Sequence, residues 1–196
     1  MDQIQDTKLT LYFAYGSNLS STQMKARCPT AVPVGLGYLP DWTWLINKRG
    51  YANIVQNPAD DQANSKPSAD VTANTHDHHS VPKDSSAPGV YGVVYTLQPA
   101  DEAELDVCEG VPTAYQKATL NVAVLDGTHG LPLPDTNENQ WPTLVYVDHH
   151  RVEADRPKDE YVRRMNRGID EARRDWGLPE WYIEKVMRPF IRSETS

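Results

Sequence analysis

The strongest constraint on the fold is an alternating pattern near the start of the chain. From Leu9 to Tyr15, large apolar side chains occupy every second position, and the pattern stops at Gly16. A period of two places successive side chains on opposite faces of an extended chain, so the segment predicts a strand with one buried face. Candidate helix caps follow at residues 17–20, and Pro29 limits the next helix. The chain therefore begins as a strand, a tight turn and a short helix.

Six further segments are rich in β-branched and aromatic residues and are bounded by Gly, Pro or Asp, which is typical of strands. They span residues 32–39, 42–46, 51–56, 89–97, 115–124 and 143–148. Helices are predicted at 99–109, 157–176 and 179–187, each beginning at a proline. Strands dominate the first part of the chain and helices gather late, without βαβ alternation or an internal repeat. The expected class is α+β with a mixed, barrel-like sheet.

Residues 57–88 are almost free of large aliphatic side chains. Within this segment only Val71 and Val81 are large and aliphatic, and the mean hydropathy of the whole chain is −0.62. Such a segment does not bury enough apolar area to offset the entropy cost of ordering it. We therefore expect a disordered insertion at 57–88 between two strands, carried by a single domain that spans residues 1–196.

The net charge and the lack of long apolar segments argue against nucleic-acid and membrane partners. The 19 basic and 27 acidic residues give a formal net charge of −8, which on average repels nucleic acid and anionic membranes. No apolar run approaches the roughly 18 residues that cross a bilayer, and the N-terminus carries no apolar signal segment. With two cysteines in the chain, we expect a reduced, cytoplasmic protein without a nucleic-acid or membrane partner.

The turn at residues 15–18 is the first candidate for chemistry. Gly16 permits a tight backbone conformation, and the amides that follow, together with a helix N-terminus, aim donors into one concavity. Such a concavity suits an anion or a carbonyl oxygen. The alternative is an ordinary capped turn, and four residues do not decide between the two.

Glu109 is the second candidate. It lies four residues after Leu105 and shares the inward face of its helix, whereas Asp101, Glu102 and Asp106 are expected to face water. Burial and the negative end of the helix dipole both raise the pKa of such a carboxyl group, as proton transfer at neutral pH requires. The alternative is a surface glutamate at a frayed helix end.

Other reactive side chains carry less weight. His76, His78 and His79 lie inside the polar insertion, where no surrounding structure holds a metal geometry, so we predict no metal site. Cys108 is expected to be a buried apolar group rather than a nucleophile. The arginines of the late helix, Arg164 among them, alternate with acids and are expected to form a solvated, salt-bridged face.

Four motifs together resemble the γ-glutamylcyclotransferase family. They are Leu11-Tyr12-Phe13-Ala14-Tyr15-Gly16-Ser17-Asn18-Leu19, Gly89-Val90-Tyr91-Gly92-Val93-Val94-Tyr95, Leu105-Asp106 with Glu109-Gly110-Val111, and Gly177-Leu178-Pro179 with Tyr182. Their order and spacing cover most of the chain outside the insertion. The resemblance implies a compact mixed β-barrel surrounded by helices. It also implies an intramolecular acyl transfer, classed as a lyase reaction, that converts a γ-glutamyl compound into 5-oxoproline and a free amine.

The resemblance also implies roles for individual residues. Glu109 falls on the family's catalytic acid/base. The expected substrate-binding residues are Tyr12, Phe13, Ala14, Tyr15, Gly16, Ser17, Asn18, Tyr115 and Tyr146. The resemblance implies no cofactor and no metal. The implied partner is a small γ-glutamyl molecule, and a homodimer is left open.

Two other functions stay open at this point. A related cyclotransferase would prefer γ-glutamylamines, or would remove a γ-glutamyl protecting group in a biosynthetic pathway. A non-catalytic module on the same barrel would bind a small molecule without turnover, and it would be distinguished by loss of the acid at position 109. The presence of Glu109 favours an enzyme. The sequence does not decide the leaving amine, nor whether glutathione is a substrate.

Overall fold

A computed structural model describes residues 9–58, 89–126 and 140–194, so most of the predicted insertion, including its histidines, lies outside the described residues. Within these ranges the strands are β1 (Thr10–Ala14), β2 (Val32–Pro40), β3 (Trp42–Ile46), β4 (Ala52–Gln56), β5 (Gly89–Leu97), β6 (Gln116–Asp126) and β7 (Gln140–Val147). The helices are α1 (Ser21–Arg27), α2 (Pro99–Cys108), α3 (Asp159–Trp176) and α4 (Glu180–Tyr182), with a 3₁₀ turn at Ser17–Leu19 and a π-helical turn at Ile183–Met187. The predicted elements are confirmed, with ends displaced by about three residues or fewer.

Within the described ranges, five strands form a closed barrel in the order β1-β5-β2-β6-β7. β1 lies antiparallel to β5 and parallel to β7, where Tyr12 pairs with Leu144. The other pairs in the barrel are antiparallel. The α+β class with a mixed barrel is therefore confirmed. Closure pairs each barrel strand on both sides, so the barrel's own edges are occupied.

The ring of Phe13 is fully buried and lies beside two glycines of the barrel strands. Gly37 and Gly92 face each other in the register of β2 and β5. A Cβ atom added at Gly92 would lie 2.5 Å from the carbonyl oxygen of Ala14 and 2.7 Å from the Phe13 ring. At Gly37 the corresponding distance to the ring is 3.1 Å. The two glycines thus make room for the aromatic ring, which is how an interior of this size reaches close packing.

β3 and β4 form a separate two-stranded sheet, which the sequence did not predict. The buried Asn47 at the end of β3 donates from Nδ2 to Oδ2 of Asp148, 2.9 Å away, just beyond β7. The backbone N–H of Asp148 donates to Oδ1 of Asn53 at 3.0 Å. These buried hydrogen bonds hold the hairpin against the end of the barrel strand.

Helix α2 corrects two expectations about its faces. Asp101 is buried rather than solvated, and it accepts a hydrogen bond from the hydroxyl of Thr30. The inward face recurs every four residues, so it runs through Asp101, Leu105 and Glu109 alike. Cys108 is exposed rather than buried. No helix in the described part of the chain is long and apolar enough to cross a membrane.

Candidate active site

A cavity of about 190 Å³ lies between β1, the 3₁₀ turn, the β3–β4 hairpin, the end of α2 and the start of α3. Its walls include most of the residues that the sequence singled out: Tyr12, Phe13, Tyr15, Gly16, Ser17, Asn18, Glu109, Tyr115 and Tyr146. Ala14 does not line it, because this short side chain is buried within β1, where it pairs with Val93. Segments far apart in sequence therefore meet around one small hollow.

Glu109 reaches the cavity from the C-terminal end of α2. Its backbone N–H donates to the carbonyl of the fully buried Leu105 at 2.8 Å, which fixes the end of the helix over the core. Oε1 of Glu109 accepts a hydrogen bond from Nδ2 of Asn18 at 3.2 Å. Nη1 of Arg27 lies 3.7 Å from the same oxygen. The carboxyl group is thus held from two sides at the cavity wall.

Burial raises the pKa of Glu109 above its usual range, because removal from water disfavours the charged form. Arg27 opposes this effect most strongly, followed by the Asn18 hydrogen bond and then by Arg164 and Arg49. Burial outweighs all four contributions, so the pKa stays raised. A carboxyl group in this setting is suited to pick up and return a proton near neutral pH.

Asn18 positions the carboxyl of Glu109. Its Nδ2 also donates to the hydroxyl of Tyr12 at 2.9 Å. Its Oδ1 accepts from Nε2 of Gln23 at 2.8 Å and from Nη1 of Arg27 at 3.1 Å. Both ends of the amide therefore have partners, which fixes its orientation and leaves Nδ2 facing the carboxylate.

The turn after β1 differs from the expected row of open amides. The backbone N–H of Ser17 donates to the hydroxyl oxygen of Tyr161 at 3.2 Å, and that of Ala52 donates to the same oxygen at 3.3 Å. Gly16 permits this approach, because a Cβ atom there would lie 2.8 Å from the hydroxyl. Two accepted bonds occupy the lone pairs of Tyr161, and its O–H has no acceptor among the described residues. That O–H is left to donate into the cavity.

Three predicted tyrosines form rigid walls. The hydroxyl of Tyr115 donates to the carbonyl of Ala52 at 2.7 Å, and that of Tyr146 donates to Oδ1 of Asp106 at 2.7 Å. The hydroxyl of Tyr15 donates to the carbonyl of Tyr146. Asp106 is therefore tied to the wall rather than free in solvent. Burial raises the pKa of each of these hydroxyls, so they stay neutral.

The cavity also contains residues that sequence reasoning missed: Arg27, Arg49, Tyr51, Ala52, Cys108, Tyr161 and Arg164. The prediction of a purely solvated arginine face was wrong for Arg164. Its guanidinium carbon lies 5.1 Å from the ring centroid of Tyr161, and its Nη1 lies 3.4 Å from Oγ of Ser17. The helical spacing of Tyr161 and Arg164, three residues apart, is the one signal that pointed to a shared face.

Comparison with solved structures identifies the fold. The chain superimposes on a γ-glutamyl cyclotransferase with a TM-score of 0.63 and 22% sequence identity, covering 96% of this chain and 91% of the other. It matches an uncharacterised protein from Homo sapiens equally well, at 0.63 and 22%, covering 96% and 92%. YkqA from Bacillus subtilis matches with a TM-score of 0.61 and 16% identity, covering 98% of this chain and 58% of YkqA.

These likenesses define the class: the protein has the γ-glutamylcyclotransferase-like fold, as the sequence motifs predicted. No protein-family model and no curated protein sequence matches the chain. Because the structural relatives share less than a quarter of their residues with it, the likeness establishes the fold, and the activity is argued from the cavity itself.

Proposed function

We propose that the protein is a γ-glutamyl cyclotransferase. It would cyclise a γ-glutamyl compound to 5-oxoproline and release the free amine, with Glu109 as the single acid/base. The observation that carries the proposal is the carboxyl group of Glu109, which lies at the wall of a small cavity with its pKa raised by burial. The fold shared with a known γ-glutamyl cyclotransferase supports the same assignment.

The reaction requires a group that first accepts a proton from the attacking amine and then donates a proton to the leaving nitrogen. The α-amine of the substrate is an ammonium near neutral pH and has no lone pair with which to attack the γ-carbonyl carbon. Glu109 would accept a proton from that ammonium, and the amine nitrogen would then bond to the carbonyl carbon. As the carbon–nitrogen bond to the leaving group breaks, Glu109 would return the proton to the departing nitrogen. The second proton, which the ring nitrogen loses in becoming the lactam N–H, would pass to the released amine, which leaves as an ammonium. A raised pKa serves both halves, because the proton is bound firmly enough to be accepted and loosely enough to be returned.

The negative charge that develops on the carbonyl oxygen needs a donor fixed in advance. The O–H of Tyr161 suits this role, because its oxygen already accepts bonds from the amides of Ser17 and Ala52. Those accepted bonds polarise the hydroxyl and strengthen the bond that it donates. The sequence suggested the backbone amides of the turn at residues 15–18 as donors to this oxygen, and we assign that role to the hydroxyl of Tyr161 instead.

Orientation of the two reacting groups of the substrate would also accelerate the reaction. The nucleophile and the electrophile belong to one molecule, so a pocket that folds the substrate gains by orientation alone. A cavity of about 190 Å³ with walls of hydrogen-bonded tyrosines has the size and the rigidity for this task. The mechanism uses only the chain's own side chains, and the proton that Glu109 takes is the proton that it gives back.

The proposal is tested with the purified wild-type protein and a panel of γ-glutamyl amino acids, γ-glutamylamines and glutathione. Release of 5-oxoproline is measured by mass spectrometry together with the matching free amine. We expect equal amounts of both products from at least one class of substrate. Binding of 5-oxoproline without turnover of any panel member would contradict the proposal and favour a binding module.

A further inference from the structure

Arg49 places a cation at the cavity, and no carboxylate among the described residues forms an ion pair with it. Its Nη1 is buried and has no hydrogen-bond partner in the described part of the chain. The other two cavity arginines are paired, since Arg27 lies against Glu109 and Arg164 lies 3.0 Å from Glu160. A buried charged donor that forms no hydrogen bond is costly, so the unpartnered guanidinium nitrogen marks a position at the cavity that suits an acceptor on a ligand.

The position of Arg49 is fixed by the turn that carries it. Its backbone N–H donates to Oδ1 of Asn47 at 3.0 Å, and Asn47 is itself held by the buried Asp148. The next residue, Gly50, has a φ of +82°, which favours glycine, and its carbonyl accepts from the backbone N–H of Lys158 at 3.2 Å. The tip of the hairpin is therefore clamped between the end of β7 and the start of α3.

Two aromatic rings hold the guanidinium group itself. Its carbon lies 5.5 Å from the ring centroid of Tyr51 and 5.4 Å from that of Tyr115. Stacking of this kind uses the faces of a guanidinium and leaves its edge N–H groups for a planar acceptor. A carboxylate accepts two such parallel bonds, so it is the acceptor that the geometry of Arg49 fits best.

The charge balance of the cavity points to the same ligand. Three arginines line it, and two of them have a carboxylate partner, Glu109 for Arg27 and Glu160 for Arg164, which leaves Arg49 as the arginine without one among the described residues. The γ-glutamyl part of a substrate is a zwitterion and brings no net charge. A leaving group with its own carboxylate brings the negative charge that Arg49 lacks.

We propose that Arg49 binds a carboxylate on the leaving amine and thereby selects γ-glutamyl amino acids over γ-glutamylamines. This inference rests on the proposed cyclotransferase activity and names the substrate class of the same site. Nothing in the sequence motifs singles out Arg49, which lies in a turn outside all four of them.

The test compares γ-glutamyl-alanine with γ-glutamyl-ethylamide, whose leaving groups differ only by the carboxylate. The measured quantity is the ratio of the two kcat/KM values for 5-oxoproline release. Arg49→Met keeps an unbranched chain for packing and removes the charge. Arg163→Met removes the same charge from an exposed position on α3 outside the cavity and is the matched control. Arg49→Gln takes over the test if the Met variant does not fold.

We expect wild type to prefer γ-glutamyl-alanine, and we expect Arg49→Met to lower the preference by about 10- to 100-fold, as loss of a charged hydrogen bond does. The Arg163→Met control retains the preference. A variant that turns over both substrates with the wild-type ratio overturns the assignment of Arg49, as does one in which both values fall equally. Absence of 5-oxoproline with wild-type protein from these two substrates and from the rest of the panel, glutathione included, contradicts the proposed function instead, so the two failures are distinguishable.

Discussion

Replacement of Gly92 by alanine tests how the barrel interior supports the cavity. The added methyl group would lie 2.5 Å from the carbonyl oxygen of Ala14 and 2.7 Å from the ring of Phe13. The oxygen belongs to the paired strand β1 and does not give way, and the ring is fully buried. Overpacking of a closed interior costs about 1–3 kcal/mol, and contact with backbone places this substitution at the upper end. We expect a loss of about 3 kcal/mol.

The same change should reach the active site, because Phe13 lines the cavity and also lies beside Gly92. Thermal unfolding should show a decrease in Tm of about 6–12 °C for a chain of this length. Gly177→Ala is the matched control. Its φ is +69° and nothing lies within 4 Å, so it carries a backbone cost of about 1 kcal/mol without disturbing the cavity. A Gly92→Ala protein as stable as the Gly177→Ala protein, with unchanged kcat/KM, would refute this reasoning.

Three further predictions concern the cavity and its supports. Burial raises the pKa of Glu109 above its ordinary value of 4.5, so between that value and the raised pKa the folded state holds a proton that the unfolded state releases. Wild type should therefore lose stability relative to Glu109→Gln as pH rises above 4.5, and a difference in Tm that does not change with pH would contradict the raised pKa. Asn18→Ala removes the amide that holds Glu109, so kcat should fall by about tenfold or more with the protein still folded, whereas kinetics equal to wild type would exclude the positioning role. Asn47→Ala leaves Asp148 short of a buried donor and should cost about 2–3 kcal/mol in chemical denaturation; a cost below about 0.5 kcal/mol would show that the hairpin is held by other contacts.

Much of the fold was predictable because its signals are local. The alternation from Leu9 to Tyr15 is a periodic pattern, and the segment 89–97 is rich in β-branched and aromatic residues; both segments form barrel strands in the expected place. The separation of β3 and β4 into their own sheet was not predictable in this way. The hairpin contacts the end of β7 through the buried hydrogen bond between Asn47 and Asp148, which lie 101 residues apart, and a contact of this sequence separation leaves no local pattern in the sequence.

The site residues that lie in a sequence motif were predicted, and those that only tertiary packing brings to the cavity were missed. Helix periodicity predicts that Glu109 faces inward. The same four-residue spacing also places Asp101 on the inward face, but the expectation from sequence placed this residue in solvent because its side chain is charged. Arg49 and Tyr161 reach the cavity from a turn and a helix that no motif marks. Their roles come from the hydrogen bonds and ring contacts that surround them, which form only once distant segments pack together.

The most direct test of the central claim is the turnover of Glu109→Gln. Glutamine keeps the shape of the side chain and the contact with Asn18 but neither accepts nor returns the proton. Glu104→Gln, an exposed carboxyl on the same helix, is the matched control. We expect Glu109→Gln to bind 5-oxoproline with its fold intact while kcat falls by about 10²- to 10⁴-fold, and the control to cyclise at the wild-type rate. A folded Glu109→Gln protein that releases 5-oxoproline as fast as wild type would contradict the account.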